Sequence, residues 1–182
     1  MKILQKICFV LLLGTFSSVY GGDCFKDRDV DDCRVKAEQG HFGAQFNLGQ
    51  TYYKGLGVLQ DYKEAVKWYR LAAEQGNLTA QYNLGIMYER GEGVFHDYKK
   101  AVKWYKLAVE QGHPKAQIKL GVMYYKGQGV LQDYVMAHMY WNIAAVSGNK
   151  GAIKNRGLVE KKMTSSQIAE AQKLAREWMS KH

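Results

Sequence analysis

The stretch AEQGNLTAQYNLGIMYERGEGVFHDYKKAVKWY, residues 73–105, decides the fold because its pattern of small and bulky residues recurs along the chain. Equivalent positions return at a constant step of 36 residues, both before and after this stretch. A constant period of this length indicates a solenoid, in which each repeat buries its apolar face against its neighbours. The recurring positions include Gly40, Gly76, Gly112 and Gly148, then Ala44, Ala80, Ala116 and Ala152, and the loop pairs Gly55/Gly57, Gly91/Gly93 and Gly127/Gly129.

Each repeat predicts a pair of helices. In its first half, Ala44, Leu48, Gly49 and Tyr52 fall on one helical face, at steps i, i+4, i+5 and i+8. In its second half, the apolar residues within 65–73 also share one helical face. Two such helices joined by a short glycine-containing loop form a helical hairpin.

Polar residues and glycines mark where these helices begin and end. Asp and Asn side chains accept hydrogen bonds from the free N–H groups at a helix start, and glycine adopts the left-handed conformation that often ends a helix. We expect Asp61 to form a capping box with Glu64, and Pro114 to occupy a first turn. The predicted N-caps are His41, Asn77, His113 and Asn149 for the first helices and Asp61, Asp97 and Asp133 for the second, and the predicted terminal glycines are Gly76, Gly112 and Gly148.

Glycine inside the first helix of each repeat predicts a close contact between helices. Such a glycine costs about 1 kcal/mol relative to alanine, so its recurrence indicates that a partner helix approaches too closely for a Cβ atom. The glycines are Gly49, Gly85, Gly121 and Gly157, and the bulky residues expected to face them are Trp68, Trp104 and the pair Tyr140-Trp141.

These features predict an all-α fold, a right-handed α/α superhelix of 36-residue helical hairpins with a C-terminal capping helix. Residues 33–40 resemble the tail of a second helix and should cap the N-terminal side. In the fourth copy Arg156 replaces the leucine and Glu160 the tyrosine, and Thr164 with Gln167 predicts a capping box before a last helix. The predicted divisions are a signal peptide 1–21, an N-terminal cap 22–39, repeats 40–75, 76–111 and 112–147, and a partial repeat with the capping helix 148–182.

The first 21 residues have the order of regions found in a secretory signal peptide. Two lysines precede the apolar run 7–13, small and polar residues follow, and Val19-Tyr20-Gly21 offers cleavage after Gly21. The run is too short for a membrane span, which takes about 20 residues, and an uncleaved anchor is the lesser alternative. A lipoprotein signal is disfavoured because Asp23 precedes Cys24. We expect export, to the periplasm or beyond it.

Composition excludes several classes of protein. The chain has 182 residues, of which 47% are hydrophobic and 24% charged, so it is neither disordered nor of low complexity. Its three cysteines are too few for a dense disulfide scaffold. The formal net charge is +9, and loss of Lys2 and Lys6 with the signal peptide would lower it by two.

Cys24 and Cys33 would remain after signal cleavage and are candidates for a disulfide in an oxidising compartment. A continuous helix would separate them by about 13.5 Å, whereas a disulfide needs Cα atoms within about 7 Å. The pairing therefore requires a turn within residues 26–31. A helix there would leave both thiols for other partners.

The segments AEQGNLTAQYNLGIMY (73–88), GEGV (91–94) and DYKKAVKWY (97–105) resemble the Sel1-like repeat, a 36-residue relative of the tetratricopeptide repeat. The resemblance covers residues 37–157 and implies a scaffold or adaptor that binds proteins or peptides. Exported bacterial members resemble proteins implicated in envelope or host interaction. A cysteine-rich subgroup linked to β-lactam binding carries paired cysteines in each repeat, and these are missing here.

The tetratricopeptide likeness implies that the first helix of each hairpin lines a concave groove. Positions beside the apolar face of that helix carry amide, aromatic and cationic groups, which suit the backbone and the acidic side chains of an extended peptide. We expect non-catalytic binding of a protein or peptide segment, without a cofactor. The predicted groove residues are Asn47, Asn83 and Lys119; Gln50, Ile86 and Val122; Tyr53, Glu89 and Tyr125; and Lys54, Arg90 and Lys126.

Two alternative functions also have a basis in the sequence. Ser147 and Lys150 match the Ser-x-x-Lys pattern of penicillin-recognising enzymes, which suggests a β-lactam- or peptidoglycan-active enzyme. They flank Gly148, however, and the accompanying Ser-Asp-Asn and Lys-Thr-Gly motifs do not occur. A basic stripe on the second helices, suited to adhesion to an anionic lipid or glycan surface, consists of Lys63, Lys67, Arg70, Lys99, Lys100, Lys103 and Lys106.

Other partner classes are not expected. The five histidines lack the spacing of metal ligands such as His-Glu-x-x-His. Nucleic acid is an improbable partner after export, and the mature chain should lack an integral membrane span. The oligomeric state is left open.

Overall fold

A computed structural model describes residues 30–182, so the expected signal segment and Cys24 lie outside the described residues. Every regular element within 30–182 is a helix. The helices are α1 (Val30–Glu38), α2 (Phe42–Lys54), α3 (Tyr62–Glu74), α4 (Leu78–Arg90), α5 (Tyr98–Glu110), α6 (Pro114–Lys126), α7 (Tyr134–Val146), α8 (Lys150–Glu160) and α9 (Ser165–Met179). The all-α prediction is confirmed.

Consecutive helices pack against one another along the chain. The pairs α2/α3, α4/α5 and α6/α7 form three hairpins, and each second helix also contacts the first helix of the next unit. At the two ends, α1 packs on α2, whereas α8 and α9 both pack on α7. This is the solenoid of stacked hairpins that the 36-residue period predicts.

The second helices begin at aspartates, as expected. The Asp61 carboxylate accepts hydrogen bonds from the backbone N–H groups of Lys63 at 2.8 Å and of Glu64 at 3.1 Å. The predicted capping box between Asp61 and Glu64 is wrong. The Glu64 carboxylate is turned to the indole N–H of Trp68, from which it accepts a hydrogen bond of 3.1 Å.

Three of the four expected caps of the first helices are formed. The side chains of Asn77, His113 and Asn149 each accept from a backbone N–H three residues later. His41 occupies the same position in α2 but its side chain forms no capping bond, so that prediction is wrong. Pro114 stands in the first turn of α6, as expected.

The glycine inside each first helix faces an aromatic ring of the second helix. A Cβ atom on Gly49 would lie 2.7 Å from Cδ1 of Tyr69, and one on Gly85 would lie 2.5 Å from Cε1 of Tyr105. Both rings are buried. The close approach inferred from the glycines is therefore present, with tyrosine as the facing residue.

The tryptophans expected at these contacts lie elsewhere. Trp68 packs with an N-terminal cluster made of Cys33, Ala37, Ala44 and Leu48, and Trp104 lies at the edge of the main core, so their assignment is wrong. Only in the third hairpin is the facing ring a tryptophan, because a Cβ on Gly121 would collide with Trp141. Gly157, included by its register, has nothing within 4 Å of a Cβ position, which corrects that expectation too.

Helix α1 acts as half a repeat at the N-terminal end. The Arg34 guanidinium donates to the Tyr52 hydroxyl at 3.1 Å, and one period later Arg70 donates to Tyr88 at 2.9 Å. The contact between repeats is thus reproduced by α1 on α2. Residues 33–38 of α1 therefore pack on the N-terminal side of the first hairpin, where the sequence predicts a cap.

At the C-terminal end, two positions of the repeat pattern carry charged residues, which bond to polar side chains of α7. Glu160, which stands where the repeat has tyrosine, accepts at 2.9 Å from Nε2 of the fully buried His138. Arg156, in place of leucine, donates to Asn142 at 2.8 Å. Helix α9 then covers α7 and begins with the predicted capping box.

Cys33 is buried in the N-terminal cluster and is disulfide-bonded. Its partner lies outside the described residues, so the pairing with Cys24 stays a prediction. Val30 and Asp31, at the end of the segment expected to turn, are helical.

Candidate functional site

Several of the predicted groove residues meet in one pocket between α2 and α4. Its volume is about 230 Å³. Amide, phenol, aliphatic and cationic groups surround this space, and its two cations are exposed. The lining residues are Gln50, Tyr53 and Lys54 from α2, Tyr69 from α3, and Tyr82, Asn83, Ile86 and Arg90 from α4.

Tyr69 reaches the pocket because Gly49 leaves room for its ring against α2. Its hydroxyl is hydrogen-bonded to the side chain of Asn83. Burial raises the pKa of Tyr69 well above its ordinary value, and the bond to Asn83 opposes this only in part. The phenol therefore stays protonated and presents a neutral polar group to the pocket.

Tyr53 connects the pocket to the loop of the next repeat. Its hydroxyl donates to Oε2 of Glu92 at 3.0 Å, and the other Glu92 oxygen lies 3.5 Å from the Arg90 guanidinium. Burial and then the bond to Glu92 raise the pKa of Tyr53. Glu92 thus holds the Tyr53 side chain and one of the pocket cations in place.

One period later an ion pair occupies the positions of Tyr53 and Asn83. Lys119 Nζ lies 2.8 Å from Oε1 of Glu89, and both side chains are about three-quarters buried. The Tyr105 hydroxyl also donates to the Glu89 carboxylate. Burial and then this carboxylate raise the pKa of Tyr105. The interval between two successive hairpins is the space between their first helices. Between the second and third hairpins, the Glu89–Lys119 ion pair therefore connects α4 with α6.

The interval after the third hairpin is aromatic. The Tyr125 ring lies 5.5 Å from that of Tyr134 and 5.7 Å from that of Trp141, centroid to centroid. Lys162 Nζ lies 5.0 Å from the Tyr125 centroid, and its bond to that residue raises the Lys162 pKa. Lys126 ends α6 as an exposed cation.

Of the twelve predicted groove residues, nine fall into three groups and the other three, Asn47, Val122 and Lys126, lie apart from these groups. Six line the pocket, Glu89 and Lys119 bind each other, and Tyr125 belongs to the aromatic cluster beyond them. Asn47 is half-buried on α2 without lining the pocket, and Val122 packs in the C-terminal core cluster.

Sequence reasoning missed three residues of the site. Tyr69 lies next to Trp68 on α3, and periodicity does not tell which of the two rings faces Gly49. Tyr82 shares its register with Phe46 and Ile118, so its recurrence as an apolar position could have signalled it. Glu92 lies in the paired-glycine loop, and no periodic signal distinguishes it.

Ser147 and Lys150, the residues that suggested an enzyme, lie at the end of α7 and the start of α8. The Ser147 hydroxyl donates to the Ala144 carbonyl at 2.9 Å, and Lys150 begins the next helix. Within residues 30–182 no group of His, Cys, Asp and Glu side chains could hold a metal ion. No helix in this same range is long and apolar enough to cross a membrane.

Comparison with known proteins agrees with this architecture. The family model described as Sel1 repeat matches residues 43–77, 78–113 and 114–149. No curated protein matches the chain.

Two solved structures are similar to the chain in fold and in sequence. The protective antigen c5321 of uropathogenic Escherichia coli, which displays an SLR fold, is 36% identical with a TM-score of 0.78, over 85% of this chain and 33% of that one. A Sel1 repeat protein from Oxalobacter formigenes is 37% identical with a TM-score of 0.68, over 74% of this chain and 57% of that one. This chain therefore spans a third of the first protein and just over half of the second. The chain belongs to the Sel1 repeat family.

Proposed function

We propose that the chain is an exported, non-catalytic adaptor that binds a protein segment along its first helices, with the pocket between α2 and α4 as the anchor point. Sel1 repeat proteins are generally scaffolds for protein–protein interaction. The observation that carries the proposal is the pocket itself, because it joins apolar, amide and cationic groups in one space.

The chemistry of the lining suits one side chain and its flanking backbone. Pockets for drug-sized ligands enclose about 300–1,000 Å³, and this one is smaller. Tyr82 and Ile86 provide apolar contact for an inserted side chain, while Gln50 and Asn83 offer amide groups to a peptide backbone.

Charge favours an acidic partner. The last position of each first helix is cationic, and Lys162 continues the same 36-residue step. Cations spaced at the repeat interval give an extended chain several charged contacts in register, which speeds association and selects against basic segments. The positions are Lys54, Arg90, Lys126 and Lys162.

Export is proposed from the N-terminal sequence, and one relative supports it. The structurally similar protein c5321 is a protective antigen, and antibodies act on proteins outside the cytoplasm. Absence of catalysis is proposed because Ser147, the nucleophile of the enzyme alternative, donates its hydroxyl to the Ala144 carbonyl at the end of its own helix.

Crosslinking and pull-down from periplasmic extract tests the proposal. We expect wild type to capture a defined partner and Arg90→Glu to lose most of it, because this change reverses a pocket cation. The matched control is Lys103→Glu, an exposed cation on the second helix α5. Equal capture by wild type and Arg90→Glu, with both folded by circular dichroism, would show the pocket assignment to be wrong.

A further inference from the structure

One edge of the solenoid carries three large apolar side chains almost fully in water. Leu59, Phe95 and Leu131 are 91%, 97% and 90% exposed, whereas the next most exposed large apolar residue within 30–182, Val146, is 71% exposed. The three occupy the same position in successive repeats, 36 residues apart. We call this set the loop-tip row.

Two of the three tips are carried on loops held against the backbone of the neighbouring repeat. Phe95 follows Gly93, whose φ is +71° and where a Cβ would collide with the backbone of Tyr62, at the start of α3. Gly129 makes the same approach to the backbone of Tyr98, at the start of α5. Because glycine lets these backbones touch, the loops of Phe95 and Leu131 are held against the preceding repeat, whereas a Cβ on Gly57 in the Leu59 loop would meet only the Val30 side chain at 3.6 Å.

Two lysines lie beside the middle tip. Phe95 borders a depression of about 700 Å³ whose rim includes Lys63 from one repeat and Lys100 from the next. Helix α5 carries four lysines and a single glutamate, whereas α7 has neither Lys nor Arg. The aspartates at this edge serve as helix caps, and Asp97 is also paired with Lys100 at 3.5 Å.

We propose that the loop-tip row docks this edge of the solenoid onto an anionic phospholipid surface. The Leu and Phe tips enter the interfacial layer of the bilayer, and the lysines of α3 and α5 contact headgroup phosphates. Separate apolar tips can each enter a fluid lipid bilayer, because the bilayer needs no complementary shape. The core of a protein interface is instead a contiguous packed patch.

Flotation with lipid vesicles tests this proposal. The protein is purified after export with its N-terminus fixed by mass spectrometry, because residues 7–13 would themselves partition into lipid. We expect binding to phosphatidylcholine vesicles containing about 30% phosphatidylglycerol, and weaker binding to phosphatidylcholine alone. Raising salt from about 0.1 M to about 1 M should weaken it further, because the Debye length falls from about 10 Å to about 3 Å.

Variants assign the binding to the row. The triple change Leu59→Ser, Phe95→Ser and Leu131→Ser should lower the partition coefficient at least about thirtyfold, because each immersed side chain contributes a factor of roughly three to ten. Val146→Ser, a matched change at the opposite edge, should leave it within about twofold. Lys99→Glu with Lys103→Glu should lower binding to anionic vesicles only.

Three outcomes would overturn the proposal. One is a wild-type chain that stays off anionic vesicles, and another is a triple variant that binds them like wild type. The third is a wild-type chain that binds no lipid but whose oligomeric state in sedimentation is changed by the triple variant. That result would show the loop-tip row to be a contact between copies of the chain. Arg90→Glu should still bind lipid, so failure at the pocket and failure at this edge are distinguishable.

Discussion

Two intervals of the same solenoid, built on equivalent backbone, differ at the positions that face a partner. Between the first two hairpins, Tyr53 and Asn83 line a pocket, each bonded to a different neighbour. Between the second and third, Glu89 and Lys119 hold those positions and bind each other at 2.8 Å. In both intervals a helical glycine faces a buried tyrosine ring.

The difference shows how a repeat protein can localise binding. The residues that make the hairpins recur in every unit, so they cannot distinguish one interval from another. The two varied positions decide whether the facing side chains bond each other across the two hairpins or bond other neighbours around an open pocket. A charge pair that is already satisfied has less to gain from a ligand.

The largest expected effect is a loss of stability at alkaline pH. Burial raises the pKa of Tyr69 and Tyr105 above the ordinary value of 10.0, and raises that of Tyr140 to about 12. Such a phenol stabilises the folded state fully below pH 10, and this contribution is lost as pH rises through the folded pKa. At a pH of about 11 the three together should lower the free energy of unfolding by about 4 kcal/mol.

Urea unfolding between pH 8.5 and 11 measures this loss. Tyr105→Phe should remove about a third of it, because each of the three phenols contributes equally at that pH. Tyr69 in the first interval should lose its proton at a lower pH than Tyr105 in the second. The bond to Asn83 opposes the rise in the pKa of Tyr69, whereas Glu89 adds to the rise in the pKa of Tyr105. An alkaline loss unchanged in Tyr105→Phe would contradict the burial argument.

The next effect comes from filling the helical glycines. Gly85→Ala should destabilise the fold by about 1–3 kcal/mol, because its Cβ would meet the Tyr105 ring. Gly49→Ala should cost less, since Tyr69 is not tied to a carboxylate and its ring can shift. Gly157→Ala is the control: nothing lies within 4 Å of its Cβ, and a gain of up to about 1 kcal/mol is expected. Thermal melting of the three variants orders them.

The smallest effect separates the two intervals by a double-mutant cycle. Glu89→Gln combined with Lys119→Met should reveal a coupling of about 1 kcal/mol, because the two side chains bind each other and are mostly buried. The equivalent cycle, Tyr53→Phe with Asn83→Ala, should give a coupling near zero, because Tyr53 bonds Glu92 and Asn83 bonds Tyr69. Equal couplings in the two cycles would remove the distinction between the intervals.

The fold could be predicted from the sequence because every 36-residue repeat carries the same pattern of core residues. The error at Trp68 and Trp104 shows the limit of that reasoning. Adjacent aromatic residues both lie near the apolar face of a helix, about 100° apart, so periodicity cannot tell which one meets the glycine. The third hairpin reverses the order of the two residues, and there Trp141 holds the position that faces Gly121.

The site was predictable only as a set of positions. The helical spacing that places Gln50, Asn83 and Arg90 near one another also places Glu89 and Lys119 together, but it does not say whether a pair will bond. Contacts such as Tyr53 with Glu92 depend on how a loop folds back on the preceding repeat. That geometry depends on loop backbone conformation, which hydrophobic periodicity does not encode.

The most direct test exchanges one residue between the intervals and measures affinity for the captured partner by calorimetry. Tyr53→Glu gives the first interval the residue of the second and should weaken binding at least about tenfold, equivalent to about 1.4 kcal/mol, because it places a carboxylate beside the cations that favour an acidic partner. Glu89→Tyr makes the reverse change and should leave the affinity within about twofold. Loss of binding in Glu89→Tyr with retention in Tyr53→Glu would contradict the account.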